Sequence, residues 1–146
     1  MPGITNPAEA YFKDGTWSWD GTLWRKQPLM LGYSDRIYEW VSTVSSGAAD
    51  TQAISAVVPA GEIWIIQAAS AMHTDTTARA LYLGPRAGAT FIQLGRNPAA
   101  TTLLMLQCVS PMVLKEGDSF LSGVSQLLTG KVVYLGYWGY KMSIAE

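Results

Sequence analysis

The sequence predicts an all-β chain: an antiparallel, jelly-roll-like β-sandwich with an N-terminal β-hairpin arm. Three observations predict it. Stretches rich in Val, Ile, Thr, Tyr and Trp recur about nine or ten times, separated by Gly, Pro, Asn and Asp at the spacing of sandwiches and barrels. No stretch sustains the apolar period of an amphipathic helix with helix-type boundaries. Finally, Pro59-Ala60-Gly61 is a turn signal that opens the long apolar run Ile63 to Met72, and Gly117-Asp118 opens Ser119 to Val124 in the same way.

Taken in order, residues 1–35 read as an arm and 36–146 as the sandwich domain. Within the arm, Thr16-Trp-Ser-Trp-Asp-Gly-Thr-Leu-Trp-Arg-Lys26 carries Asp20-Gly21, the dipeptide of a two-residue type I′ turn, which would set Trp17 opposite Trp24. Trp17, Trp19 and Trp24 then share one hairpin face, and an isolated hairpin is too marginal in water to leave such a face bare. Residues 27–35 read as a connector, Arg36 to Val44 as a strand, and Gln52 to Val58 as a weakly alternating approach to the central turn. After the long strand, His73 to Thr77 turns the chain. Ala78 to Leu83 reads as a short strand ended by Gly84-Pro85, and Ala89 to Leu94 as another closed by Gly95 and Asn97-Pro98. Thr101 to Val109, Pro111 to Leu114, Ser119 to Val124 and Lys131 to Ile144 complete the set.

Two of these strands have no polar side. Strict alternation puts Trp64, Ile66, Ala68 and Met72 on one face of the long strand and Ile63, Ile65, Ala69 and Ala71 on the other. Thr101 to Val109 behaves likewise. A sandwich strand normally wets one face, so a second apolar face requires a cover such as another subunit. On the last strand, Val132, Tyr134, Trp138, Tyr140 and Met142 read as the core side, with Tyr137 opposite as an interface or ligand candidate. Gly136 and Gly139 inside that strand signal a bulge or the close approach of another backbone.

Composition narrows the function. A chain of 146 residues fits one core-bearing domain. Charged residues make up 14%, against roughly a quarter in an average soluble protein, so the surface is unusually neutral. With a net charge of −1 and the ten basic residues scattered, neither a nucleic acid nor a membrane surface is an expected partner. The N-terminus lacks the charged and apolar regions of a signal peptide, and no apolar run reaches membrane-spanning length, so a soluble protein made in the cytoplasm is expected.

Catalytic constellations are sparse. His73 and Asp75 give at most two metal ligands where zinc takes three or four, and the chain has one histidine, so no metal and no cofactor is expected. Glu116 and Asp118 flank Gly117 as residues of a solvated turn rather than a catalytic carboxylate pair. No GxSxG or phosphate-cradling glycine loop is present, and Cys108, inside an apolar run, reads as a small buried hydrophobe. The chain therefore reads as non-enzymatic. The tryptophan hairpin is the one constellation suited to binding: Trp17, Trp19 and Trp24 either staple the arm by packing or stack on the C–H faces of a sugar.

The phrases VPAGEIWIIQAASAM, ARALYL, VLKEGDSFLSGVS and KVVYLGYWGYKM together resemble small jelly-roll virion proteins of tailed bacteriophages, and WSWDGTLWRK is similar to aromatic hairpins of phage fibre and appendage proteins. The resemblance covers most of residues 16–142. It implies a virion location and a structural role as a head decoration (cement), head-fibre or tail-appendage subunit. The implied partners are copies of itself in a homotrimer or other symmetric oligomer and the major capsid or tail proteins of the particle; a host-surface glycan is the alternative partner that the tryptophan hairpin suggests. It brings no catalytic residue with it.

Overall fold

A computed structural model describes residues 17–19, 24–26, 35–47 and 49–143. The chain divides into two compact units, Met1–Tyr33 and Ser34–Glu146. In the first, β1 (Trp17–Trp19) pairs antiparallel with β2 (Trp24–Lys26), with Trp19 opposite Trp24 and Trp17 opposite Lys26. That register differs from the expected one. The Asp20-Gly21 turn itself lies outside the described residues; the register sets Trp24 opposite Trp19 where Trp17 was expected. The expectations for the remaining arm residues and the connector fall outside the described residues.

The second unit is all-β and helix-free among the described residues, built of two antiparallel sheets. Its strands are β3 (Asp35–Val44), β4 (Asp50–Ile54), β5 (Glu62–His73), β6 (Arg79–Ala87), β7 (Thr90–Phe91), β8 (Gly95–Ala100), β9 (Leu106–Cys108), β10 (Met112–Lys115), β11 (Asp118–Ser125) and β12 (Val132–Ser143). The first sheet runs β10-β5-β12-β3, with β9 also on β5; the second runs β4-β11-β6-β7, with β8 also on β6. The core lies between them. Ile37, Trp64, Ile66, Leu135 and Tyr137 enter it from the first sheet, and Ala53, Leu81, Leu83, Phe120 and Val124 from the second.

The two turn motifs legible in the sequence are stitched together. Val58 donates its N–H to the Asp118 carbonyl at 2.8 Å and accepts from the Gly117 N–H at 3.0 Å, so the Pro59-Ala60-Gly61 turn and the Glu116-Gly117-Asp118 turn close one end of the sandwich as a unit. Each sends its strand into a different sheet.

Three strand expectations change. The strand from Arg79 continues through Gly84-Pro85 to Ala87, because residues 92–94 return along it and bond to its carbonyls: Ile92 N–H to Pro85 O at 2.9 Å, and Leu94 N–H to Leu83 O at 3.0 Å. The strand expected over Ala89 to Leu94 shrinks to Thr90–Phe91, and Gly95 with Asn97-Pro98, expected to close it, belongs to β8, an edge strand with a register irregularity, where a missing N–H is tolerated. Most of Thr101 to Val109 lies outside any strand, with a turn at residues 102–103. Leu103 has φ 58° and donates its N–H to the His73 carbonyl at 2.8 Å, which leaves Leu103, Leu104 and Met105 exposed and only Leu106–Cys108 paired to β5.

Candidate functional site

The first sheet has a second side, and its composition resembles a core. Cross-strand partners in an antiparallel ladder lie on the same face, so register identifies that face. It carries Val44 with Val132, Ser42 with Tyr134 and Met72, Trp40 with Gly136 and Ser70, and Tyr38 with Trp138 and Ala68. Farther along come Arg36 with Tyr140 and Ile65, Met142 with Ile63, and Val113 opposite Ile65. The charges along it are two cations, Arg36 and Lys115 at opposite margins, with no carboxylate among these positions.

Two glycines shape this face. A Cβ on Gly136 would stand 2.4 Å from the six-membered ring of Trp40, so only glycine lets that ring lie down on the sheet, where Tyr134 flanks it at 5.7 Å between centroids. A Cβ on Gly139 would stand 1.9 Å from the Ile65 carbonyl oxygen. There the β12 to β5 register shifts: Trp138 is opposite Ala68, Gly139 is opposite Ile66, and Gln67 is left as the extra residue of a bulge.

The bulge corrects the expected faces of β5. Beyond Gln67 the alternation reverses, so Ala69 and Ala71 join Trp64 and Ile66 in the core while Ala68 and Met72 turn to the outer side with Ile63 and Ile65. The faces of β12 are also the reverse of the expectation. Tyr137, Val133 and Leu135 fill the core, and the face holding Tyr134, Trp138, Tyr140 and Met142 points away from it. Alternation could not decide this, since both sides of β12 are apolar.

Tyr137 is therefore only 1% exposed, and its hydroxyl donates to the Glu39 carboxylate on β3. Burial, followed by that hydrogen bond and the negative charge of Glu39, pushes its phenol well above the usual tyrosine range. Its ring offers no surface to a partner. The exposed aromatic surface of this sheet belongs instead to Tyr38 at 81%, Trp40 at 46% and Trp138 at 38%, with the exposed Val113 on β10 at the opposite margin. Trp17 and Trp19 lie on β1 and Trp24 on β2, in the other unit.

A buried polar knot lies at the end of β5. The Asp75 N–H donates to His73 Nδ1 at 3.2 Å, so Nε2 carries the proton and donates to the Ala100 carbonyl at 3.0 Å. Asp75 Oδ1 accepts from the Thr77 N–H, and Oδ2 accepts from Arg79 Nε at 3.0 Å and the Leu128 N–H at 3.3 Å. Burial pushes the Asp75 carboxyl up, but the Thr77, Arg79 and Leu128 hydrogen bonds and the Arg79 charge outweigh it and hold the group down at about 2. Every acceptor of this knot faces a donor of the fold, which makes it a loop anchor. Among the described residues no three His, Cys, Asp or Glu side chains gather as metal ligands. Asp118, likewise, spends Oδ2 on the Lys115 N–H at 3.0 Å.

Sequence reasoning missed the Tyr137–Glu39 bond and the reach of Asp75 to Leu128, because both join residues far apart in the chain. Comparison with protein-family models, curated proteins and solved structures gives no match.

Proposed function

We propose that this chain is a non-enzymatic structural subunit of a bacteriophage particle, a capsid decoration (cement) or fibre-type protein with a jelly-roll-like domain and a tryptophan-bearing N-terminal arm. One observation carries the reading: the first sheet is apolar on both sides, and on its outer side Ile63 and Ile65, which a self-sufficient domain would enclose, are only half-buried; Leu104, ahead of β9, is exposed, while Leu106 packs half-buried against the core. Such a face, low in charge and rich in aromatic rings, is suited to burial against copies of the same chain or against shell subunits. Particles purified on a density gradient from the lysate that produces the chain are expected to contain it in fixed ratio to the main shell protein. Its presence only in the unassembled fraction overturns the proposal.

One observation favours a second reading. Trp40 lies flat over Gly136 beside Tyr134 and is still partly exposed, a platform on which a sugar ring can stack. Glycan-array binding that Trp40→Ala abolishes would support host adhesion, and an array without signal removes it.

A further inference from the structure

The sandwich has four lateral edges, and three are blunted. On the first sheet the side of β5 away from β12 is capped by two pieces, β9 and β10, of three and four residues. On the second, β4 has five residues, while β6 is capped by the two-residue β7 and by β8, which contains Pro98 and an irregular register. Short strands, proline and bulges are the usual protections against edge-to-edge pairing.

The fourth edge has none of them. β3 is ten residues long, free of Pro and Gly, and pairs with β12 in unbroken register from Asp35 opposite Lys141 to Val44 opposite Val132. Among the described residues it has a strand partner on that side alone. An inward-pointing charge is the other common guard, but Glu39 spends its carboxylate on the Tyr137 hydroxyl of its own protomer.

We propose that β3 pairs antiparallel with β3 of a second copy about a two-fold axis at Trp40, so that the first sheets of two protomers continue as one. This rests on the self-association read above and adds an edge contact to it, which extends the outer face across two copies and leaves the cover of that face to a separate contact. A two-fold strand pair keeps the sum of opposed residue numbers constant and even, which leaves four central registers, of which the one centred on Val41 pairs only 38–44. Centring on Glu39 sets two carboxylates directly opposite each other, which is destabilising. Centring on Tyr38 pairs only 35–41. Centring on Trp40 pairs 36–44, places Glu39 opposite Val41 and Tyr38 opposite Ser42, and makes the outer aromatic face continuous across both copies. The two-fold predicts even-numbered assemblies in place of the three-fold that the resemblance implies.

Tyr38 and Ser42 are both exposed, so cysteines there leave the fold intact. Under mild oxidation the double variant Tyr38→Cys/Ser42→Cys is expected to give a covalent, reductant-sensitive dimer that neither single variant gives. In the parent protein, amide hydrogen exchange across 36–44 is expected to slow as concentration rises. If light scattering shows the parent assembled while no covalent dimer forms and 36–44 gains no protection, the edge contact is wrong and self-association stands. If the parent is a monomer at every concentration, both fall.

Discussion

The two sides of β12 make an instructive pair. Val133, Leu135 and Tyr137 on one side are sealed against the second sheet, while Tyr134, Trp138, Tyr140 and Met142 on the other are just as apolar and face away from it. Hydrophobicity alone therefore did not select the core. The selection came from pairing geometry: the bulge at Gln67 and the bare Gly139 fix which half of each alternating set meets the second sheet. The outer side is then a surface with core composition.

Substitutions can break the contrast from the inner side first. Tyr137→Ala removes a fully buried ring and its hydrogen bond to Glu39, and is expected to cost about 4 kcal/mol in denaturant unfolding. Gly139→Ala drives a methyl group into the Ile65 carbonyl and is expected to cost about 3 kcal/mol by the same measurement, since backbone must move to relieve it.

The polar knot sharpens the comparison, because it is buried without belonging to either apolar side. Asp75→Asn weakens the Arg79 and backbone bonds and is expected to cost about 2 kcal/mol at neutral pH. Its pH dependence has a definite sign. The folded carboxyl titrates at about 2 against an ordinary 3.8, so its contribution is complete above the ordinary value and is lost as pH falls toward the folded one. Unfolding curves at neutral pH and in that acid window should therefore show the parent losing a component that Asp75→Asn never had.

The smallest effect on protomer stability belongs to the outer side. Tyr38→Ser removes an exposed ring and is expected to change unfolding free energy by less than about 0.5 kcal/mol in a dissociated protomer, while shifting the self-association equilibrium toward monomer. Equal losses in both would mean that Tyr38 packs within its own chain.

How far the sequence carried this picture depends on where each determinant sits. The strands at 35–44, 62–73, 118–125 and 132–143 were legible because β-branched and aromatic runs follow local turn chemistry, as at Gly61 and Gly117. The sheet pairing that sets faces was not legible, since one extra residue at position 67 reverses everything beyond it. Leu103-Leu104-Met105 reads as strand in sequence, yet it lies outside any strand because the Leu103 N–H is taken by the distant His73 carbonyl. Of the candidate surface residues, Tyr137 was singled out on the wrong side of its strand, while Trp40 and Tyr38 passed as ordinary strand residues. Only the glycine beneath Trp40 marks that ring as lying on the sheet, and their proximity is a product of the β3 to β12 register.

Sedimentation equilibrium of the full chain at micromolar concentration decides whether further copies shield the outer side of the first sheet. An integer multiple of the protomer mass is expected, falling to the protomer when Tyr38 and Trp138 are both replaced by serine. A parent protein that sediments as a single protomer across the whole concentration range would contradict that shielding.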